Sequence, residues 1–125
     1  MPQRILLIED EARIRAVVQA CLEDLGGWEV QLAESGTEGL NLAIQQLFDV
    51  ILLDISMPDI DGFQIYNTLQ ATPRTQAVSI ILLTAKTLPS DHDRFAQMDV
   101  AGIILKPFNP LLLCQQIRDI LGWTE

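Results

Sequence analysis

Four apolar residues, Val50-Ile51-Leu52-Leu53, run without interruption into a carboxylate at Asp54, and Pro58 and Gly62 turn the chain soon afterwards. A run that short, bounded by turn signals, reads as a strand buried on both faces. Such strands sit inside parallel sheets that carry helices above and below. Asp54 then stands at the carboxyl end of a central strand, on the edge where open α/β sheets bind their ligands. Alone, Asp54 reads as readily as a loop cap. The choice depends on what the rest of the chain delivers to the same edge.

Four further segments repeat the pattern. Arg4 to Glu9 is a short apolar run ending in acid, followed by helical periodicity from Ala12 to Leu25 and a stop at Gly26-Gly27. Trp28 to Ala33 alternates apolar and polar residues, as a half-exposed strand near a sheet edge does. Ser35 with Glu38 three residues later reads as a capping box, and Leu40, Ala43, Ile44 and Leu47 continue that helix on one face. The organising strand, Asp49 to Asp54, comes next. A third helix through Phe63, Ile65, Tyr66 and Leu69 ends before Pro73. Val78 to Thr84 is wholly apolar apart from Ser79 and its last residue. Pro89 to Met98 suggests a polar, poorly periodic helix, expected to be the least stable element. Gly102 to Lys106 is a last strand stopped by Pro107, and Pro110 opens a final helix that runs to Gly122. Five strands alternating with five helices give a doubly wound parallel sheet with helices on both faces.

With 125 residues, the chain is long enough to bury a core as one domain spanning 1–125. The net charge of −9 argues against direct nucleic acid binding by this domain, because a phosphate backbone demands a basic face. No apolar run approaches the length of a membrane span and no signal peptide opens the chain, so the expected setting is cytoplasmic, with no membrane partner. Cys21 and Cys114 lack metal-ligand or redox spacing. Cys21 falls on a predicted apolar face with Ile14, Val17, Val18, Leu22 and Leu25, which reads as a buried free thiol.

The strand ends carry the chemistry. Strand one ends at Glu9-Asp10, strand three at Asp54, strand four at Thr84 and strand five at Lys106. If the strand order is 2-1-3-4-5, strands one and three are neighbours at the topological switch point. Three carboxylates then converge beside one hydroxyl and one ammonium group. Three acids in one cleft repel each other, and a hard cation such as Mg²⁺, which keeps several waters and one or two carboxylates, offsets them. Asp10 and Asp54 are the obvious ligands, and a backbone carbonyl just after Asp54 is a further one to consider. Lys106, one of only two lysines in the chain with Lys86, supplies positive charge from the other side. A carboxylate beside Mg²⁺, a lysine and a hydroxyl suits a phosphoryl group. Asp54 would attack phosphorus and form an acyl phosphate. Mg²⁺ and Lys106 would neutralise the equatorial oxygens, and Thr84 would hydrogen-bond one of them.

These residues resemble the receiver domain of two-component response regulators, over the whole chain. The resemblance rests on Glu9-Asp10, on Asp54 followed by Met57-Pro58 and Asp61-Gly62, on Thr84-Ala85 and on Lys106-Pro107-Phe108. Each dipeptide is weak evidence, whereas all of them in this order, each at a strand end, are highly specific. The resemblance implies a flavodoxin-like five-stranded fold of order 2-1-3-4-5. It implies that Asp54 accepts phosphate from a histidine kinase or histidine phosphotransfer protein, switching a surface that binds a downstream protein target. It also implies that Asp10, Asp54 and the Ser56 carbonyl bind Mg²⁺ with Glu9 acting through water, and that Thr84 and Lys106 are the switch hydroxyl and the phosphate-binding lysine. Such a domain catalyses its own phosphorylation and dephosphorylation without being a turnover enzyme. One position departs from the family. Three residues before the lysine, where Tyr, Phe or His is frequent, stands Ile103. Output is therefore expected to run through Thr84 and the loop from Ala85 to Pro89. Ser56 and Lys86 occupy positions that tune phosphoryl lifetime in the family.

The bland readings hold elsewhere. Asp59 and Asp61 read as loop acids, with Asp61 capping the third helix, His92 as exposed, and Trp28 and Trp123 as packing or partner residues. A phosphatase of the haloacid dehalogenase type would need a second Asp where Ser56 stands. A flavodoxin-like electron carrier would need a hydroxyl- and glycine-rich loop after strand one, and Glu9-Asp10-Glu11 would repel its flavin phosphate. A degenerate receiver used only for interaction would lack one of the chemical positions, and none is missing.

Overall fold

The computed structural model describes residues 2–57, 59–85 and 89–123, and the side chains of 89–92 lie outside that description. Pro58 and Lys86 fall outside it, as does the side chain of His92. The chain runs β1 (Arg4–Ile8), α1 (Ala12–Asp24), β2 (Glu29–Ala33), α2 (Gly36–Gln45), β3 (Val50–Asp54), α3 (Gly62–Ala71), β4 (Ser79–Thr84), α4 (Pro89–Ala96), β5 (Gly102–Leu105) and α5 (Pro110–Leu121). All strand pairs are parallel and the order is β2-β1-β3-β4-β5. The expected doubly wound sheet and its switch point between β1 and β3 are therefore present.

Strand periodicity divides the core in two. Leu6, Ile8, Ile51, Leu53, Ile80 and Leu82 face α2, α3 and Phe95 of α4. Ile5, Leu7, Val50, Leu52, Ile81, Leu83 and Ile104 face α1 and α5. A strand that feeds both layers has no polar face, which is why β3 reads as an unbroken apolar run. The edge strand β2 alternates exposed and covered residues as expected.

The helix ends follow local chemistry. Ser35 Oγ accepts from Glu38 N–H at 3.1 Å, but the Glu38 carboxylate turns to Glu34 N–H at 2.7 Å, so the capping box closes one residue early. Asp61 caps α3 through Phe63 N–H at 2.9 Å. Gly122 ends α5 in the left-handed conformation at φ 70°, which glycine adopts without steric cost. Trp28 and Trp123 pack edge to face with centroids 5.3 Å apart, tying the end of α5 to the start of β2.

The apolar face of α1 is narrower than its periodicity implied. Val18 and Leu22 are buried, Ile14 and Cys21 are half-buried, and Val17 and Leu25 are exposed. Leu25 forms the C-cap of the helix. The buried thiol is Cys114 on α5, which donates to the Cys21 carbonyl at 3.3 Å, and both cysteines are free. Ile44, in the last turn of α2, and Leu47, past its end at Gln45, are likewise exposed.

Candidate functional site

The parallel sheet brings its carboxyl ends to one edge, and Glu9, Asp10, Thr84 and Lys106 gather there around Asp54. Glu9 and Thr84 are fully buried, Asp54 nearly so, and Asp10 is exposed at the mouth. Glu9 lies one residue past β1, yet its N–H still donates to Ala33 O at 3.1 Å, so the ladder with β2 fixes it. Lys106, one residue past β5, is fixed in the same way by its N–H to Thr84 O at 2.8 Å. Its ammonium reaches Glu9 Oε1 at 2.7 Å and Asp54 Oδ1 at 3.5 Å. Glu9 Oε2 accepts from Glu11 N–H at 3.2 Å, and Asp54 Oδ1 accepts from Ser56 N–H at 3.0 Å. Each buried carboxylate thus has a backbone donor and shares one cation.

Burial is the largest influence on Glu9 and pushes its carboxyl up from 4.5 to about 7; the Lys106 hydrogen bond opposes this, and neighbouring Asp54 adds to it. For Lys106, burial pulls downward, but the Glu9 hydrogen bond and the charges of Asp54 and Glu9 outweigh it and leave the ammonium raised. The pocket therefore holds more negative charge than its one lysine offsets.

One oxygen from each of Glu9, Asp10 and Asp54 lies within 4.8 Å of the others, the one such acidic group among the described residues. Oxygens that share one octahedral Mg²⁺ at ~2.0–2.1 Å lie at most ~4.2 Å apart, so the three carboxylates are near enough to gather around an ion directly or through its waters. An all-oxygen donor set with surplus negative charge suits that hard cation. Asp10 and Ser56 line one cleft of about 660 Å³ together with Met57, Asp59 and Asp61, which leaves room for the waters such an ion retains.

Ile103 points outward from the edge strand and is 38% exposed. Of the loop after β4, only Ala85 and Pro89 are among the described residues, and Ala85 is exposed.

Two residues escaped the sequence reading. Asp59 is not a free loop acid: its carboxylate accepts from Gly36 N–H, Thr37 N–H and Thr37 Oγ1, each at 3.1 Å. These bonds hold its carboxyl below the usual carboxylate range, with the Thr37 N–H the largest cause. Arg15, on α1, donates to the Glu9 carbonyl at 2.9 Å and to Glu34 Oε1 at 3.0 Å. Nothing local in the sequence marks either residue, since the Asp59 partners lie 22 and 23 positions away.

Comparison with known proteins bears on the whole of this arrangement. The family model of the response regulator receiver domain matches residues 5–118. Response regulator Rre1 of Synechocystis sp. is 34% identical over 97% of this chain and 52% of its own length. The probable transcriptional regulator ycf27 of Guillardia theta is 35% identical over 98% of this chain and 47% of its own. The chain thus spans about half the length of these curated relatives. The chemotaxis response regulator CheY4 of Vibrio cholerae superposes with a TM-score of 0.88 at 30% identity, covering 96% of this chain and 99% of that one. The receiver domain of the sensor histidine kinase PA1611 of Pseudomonas aeruginosa PAO1, solved with a magnesium ion coordinated in its active site cleft, superposes with a TM-score of 0.86 at 31% identity, covering 98% of this chain and 99% of that one. A buried Asp54 flanked by Glu9, Asp10, Thr84 and Lys106 on a 2-1-3-4-5 sheet and a family match over 5–118 agree: the chain belongs to the response regulator receiver domains, the phosphoacceptor domains of two-component signalling.

Proposed function

We propose that Asp54 is the phosphoacceptor and that a histidine kinase or histidine phosphotransfer protein supplies the phosphoryl group. The observation that carries this reading is the setting of Asp54. It is a nearly buried carboxylate, oriented by the Ser56 N–H and by Lys106, at the open edge of the sheet. Asp10, Asp54 and the Ser56 carbonyl would hold Mg²⁺, with Glu9 acting through water. The ion, when bound, offsets charge on the phosphoryl oxygens and on the acids that crowd them. The Asp54 carboxylate forms the new O–P bond while the donor's P–N bond breaks, and the imidazole nitrogen leaves with the electron pair. Lys106, held in the free domain by Glu9 and Asp54, turns to a phosphoryl oxygen. Thr84 donates its hydroxyl hydrogen to another once the group is attached.

The product is a signalling state and not a released substrate, so the domain acts without turnover beyond its own phosphorylation and dephosphorylation. Output passes to a downstream protein target through α4, β5 and α5, with Thr84 and the loop after β4 transmitting the change in place of an aromatic ring at Ile103. The setting is cytoplasmic; no helix among the described residues is long and apolar enough to cross a membrane. The test is chemical. Phosphoramidate carries a P–N bond like that of phosphohistidine. Incubation with it and Mg²⁺, followed by borohydride reduction, should convert Asp54 alone to homoserine in a peptide map. Reduction at another acid, or none with the donor consumed, would overturn the assignment.

A further inference from the structure

The two backbone segments that would supply metal ligands are both fastened to a third segment that supplies none. That third segment is the junction between β2 and α2, residues 34–37. On one side, Arg15 links the Glu9 carbonyl at 2.9 Å to Glu34 Oε1 at 3.0 Å. The carbonyl it holds belongs to the peptide between Glu9 and Asp10, so the guanidinium sits on the bond that joins two of the expected ligands. On the other side, the Asp59 carboxylate takes the Gly36 and Thr37 N–H groups and the Thr37 hydroxyl, all at 3.1 Å. Asp59 lies in the same loop as Ser56, between β3 and α3.

The junction is itself stiff. Ser35 Oγ caps Glu38 N–H, and the Glu38 carboxylate returns to Glu34 N–H. Gly36 lies so close to the loop that an added Cβ would fall 1.9 Å from Ile60 Cγ2. The Arg15 side chain is only 12% exposed, although its partner Glu34 is 71% exposed. A planar fork placed in this way, with two acceptors in fixed directions, acts as a strut more than as a surface charge pair.

We infer that Arg15 and Asp59 are positioning residues for the metal pocket, holding the β1–α1 and β3–α3 loops at the separation that lets Asp10, Asp54 and the Ser56 carbonyl meet one ion. The inference rests on the reading of this pocket as a Mg²⁺ site. Neither residue belongs to the expected ligand set, so each would act through the backbone it fixes. Partners beyond the ligands themselves are commonly worth 10- to 100-fold in metal affinity.

The sign of the effect separates positioning from simple charge. Arg15 is a cation beside an acidic pocket, so by charge alone its removal would tighten Mg²⁺ binding. By positioning, its removal loosens it. Isothermal titration calorimetry with Mg²⁺, on native protein and Arg15→Met at matched ionic strength, should show affinity falling about tenfold. Amide spectra should show the Ser56 and Glu11 resonances shifted before any metal is added. Asp59→Ala and Asp59→Asn form the second arm, at an exposed position that does not threaten the fold. Both remove the same charge, but Asn keeps one carbonyl acceptor for α2. Positioning predicts a larger loss for Ala than for Asn, and charge alone predicts equal losses. Equal or tighter binding by Arg15→Met, or equal losses at Asp59, would overturn the inference while leaving the metal site standing. Failure of the native protein to bind Mg²⁺ would instead overturn the metal reading beneath it.

Discussion

Glu9 predicts an unusual pH dependence for the metal-free domain. Its carboxyl is pushed from 4.5 to about 7, chiefly by burial against the partial relief of Lys106. A group whose folded pKa is raised contributes stability that is complete below its unfolded pKa and is lost as pH rises through the folded value. The relevant window is therefore about pH 4.5 to 7 and somewhat above, with stability falling as pH rises. At ~1.4 kcal/mol per pH unit, the gap between 4.5 and about 7 corresponds to ~3 kcal/mol. The assay is urea denaturation in EDTA, followed by far-UV circular dichroism, for native protein and Glu9→Gln between pH 4 and 8. Glu9→Gln should gain on native protein by about 3 kcal/mol across the window and match it more closely at the acid end. Mg²⁺ should stabilise native protein more at pH 8 than at pH 5, because binding competes with fewer protons. Parallel curves within about 0.5 kcal/mol would refute the reasoning. So would a native advantage that grows with pH, since it would mean that the Lys106 ion pair outweighs the cost of burial.

Other consequences concern the frame around the pocket. Gly62→Ala would place a Cβ 2.7 Å from Ile55 Cα, a backbone atom that cannot step aside; overpacking should outweigh the helix propensity gained and cost about 1–3 kcal/mol in urea titrations, whereas a stabilised variant would contradict the contact. Phe95 stacks on Phe63 at 5.8 Å and is buried, so Phe95→Ala should cost about 3–5 kcal/mol and remove hydrogen-exchange protection from α4 first. A loss below about 1 kcal/mol would mean that α4 is held by something else. Asp59 should show the opposite pH behaviour to Glu9. Its depressed pKa adds stability that is present above the ordinary carboxylate range and is lost as pH falls through the folded value. Acid unfolding of Asp59→Ala should accordingly be less steep than that of native protein.

The fold was legible because its strands are buried on both faces. A strand that serves two core layers must be apolar at every position, so β1, β3 and β4 stand out as runs, and in a parallel sheet the residue after each run necessarily faces the same edge. That is why Glu9, Asp54, Thr84 and Lys106 could be gathered from sequence alone. Periodicity was less informative about how wide a buried face is. Val17 and Leu25 share the apolar stripe of α1, yet both are exposed while Val18 and Leu22 are buried. Reach across the fold was not legible at all. The partners of Asp59 and Arg15 are set by how β2 docks beside β1 and how α2 meets the loop after β3, and no local pattern records either. The Glu38 carboxylate shows the same limit at short range, since it satisfies Glu34 N–H and not the N-cap residue that the motif anticipates.

The central claim is that Asp54 is the residue phosphorylated in a metal-dependent reaction. Intact mass after incubation with acetyl phosphate, with and without Mg²⁺, tests it most directly on native protein and Asp54→Asn. The account predicts a gain of one phosphoryl group (~80 Da) in native protein with Mg²⁺, and none in Asp54→Asn or with the metal chelated. An equal gain by Asp54→Asn, or a gain by native protein that ignores Mg²⁺, would contradict it.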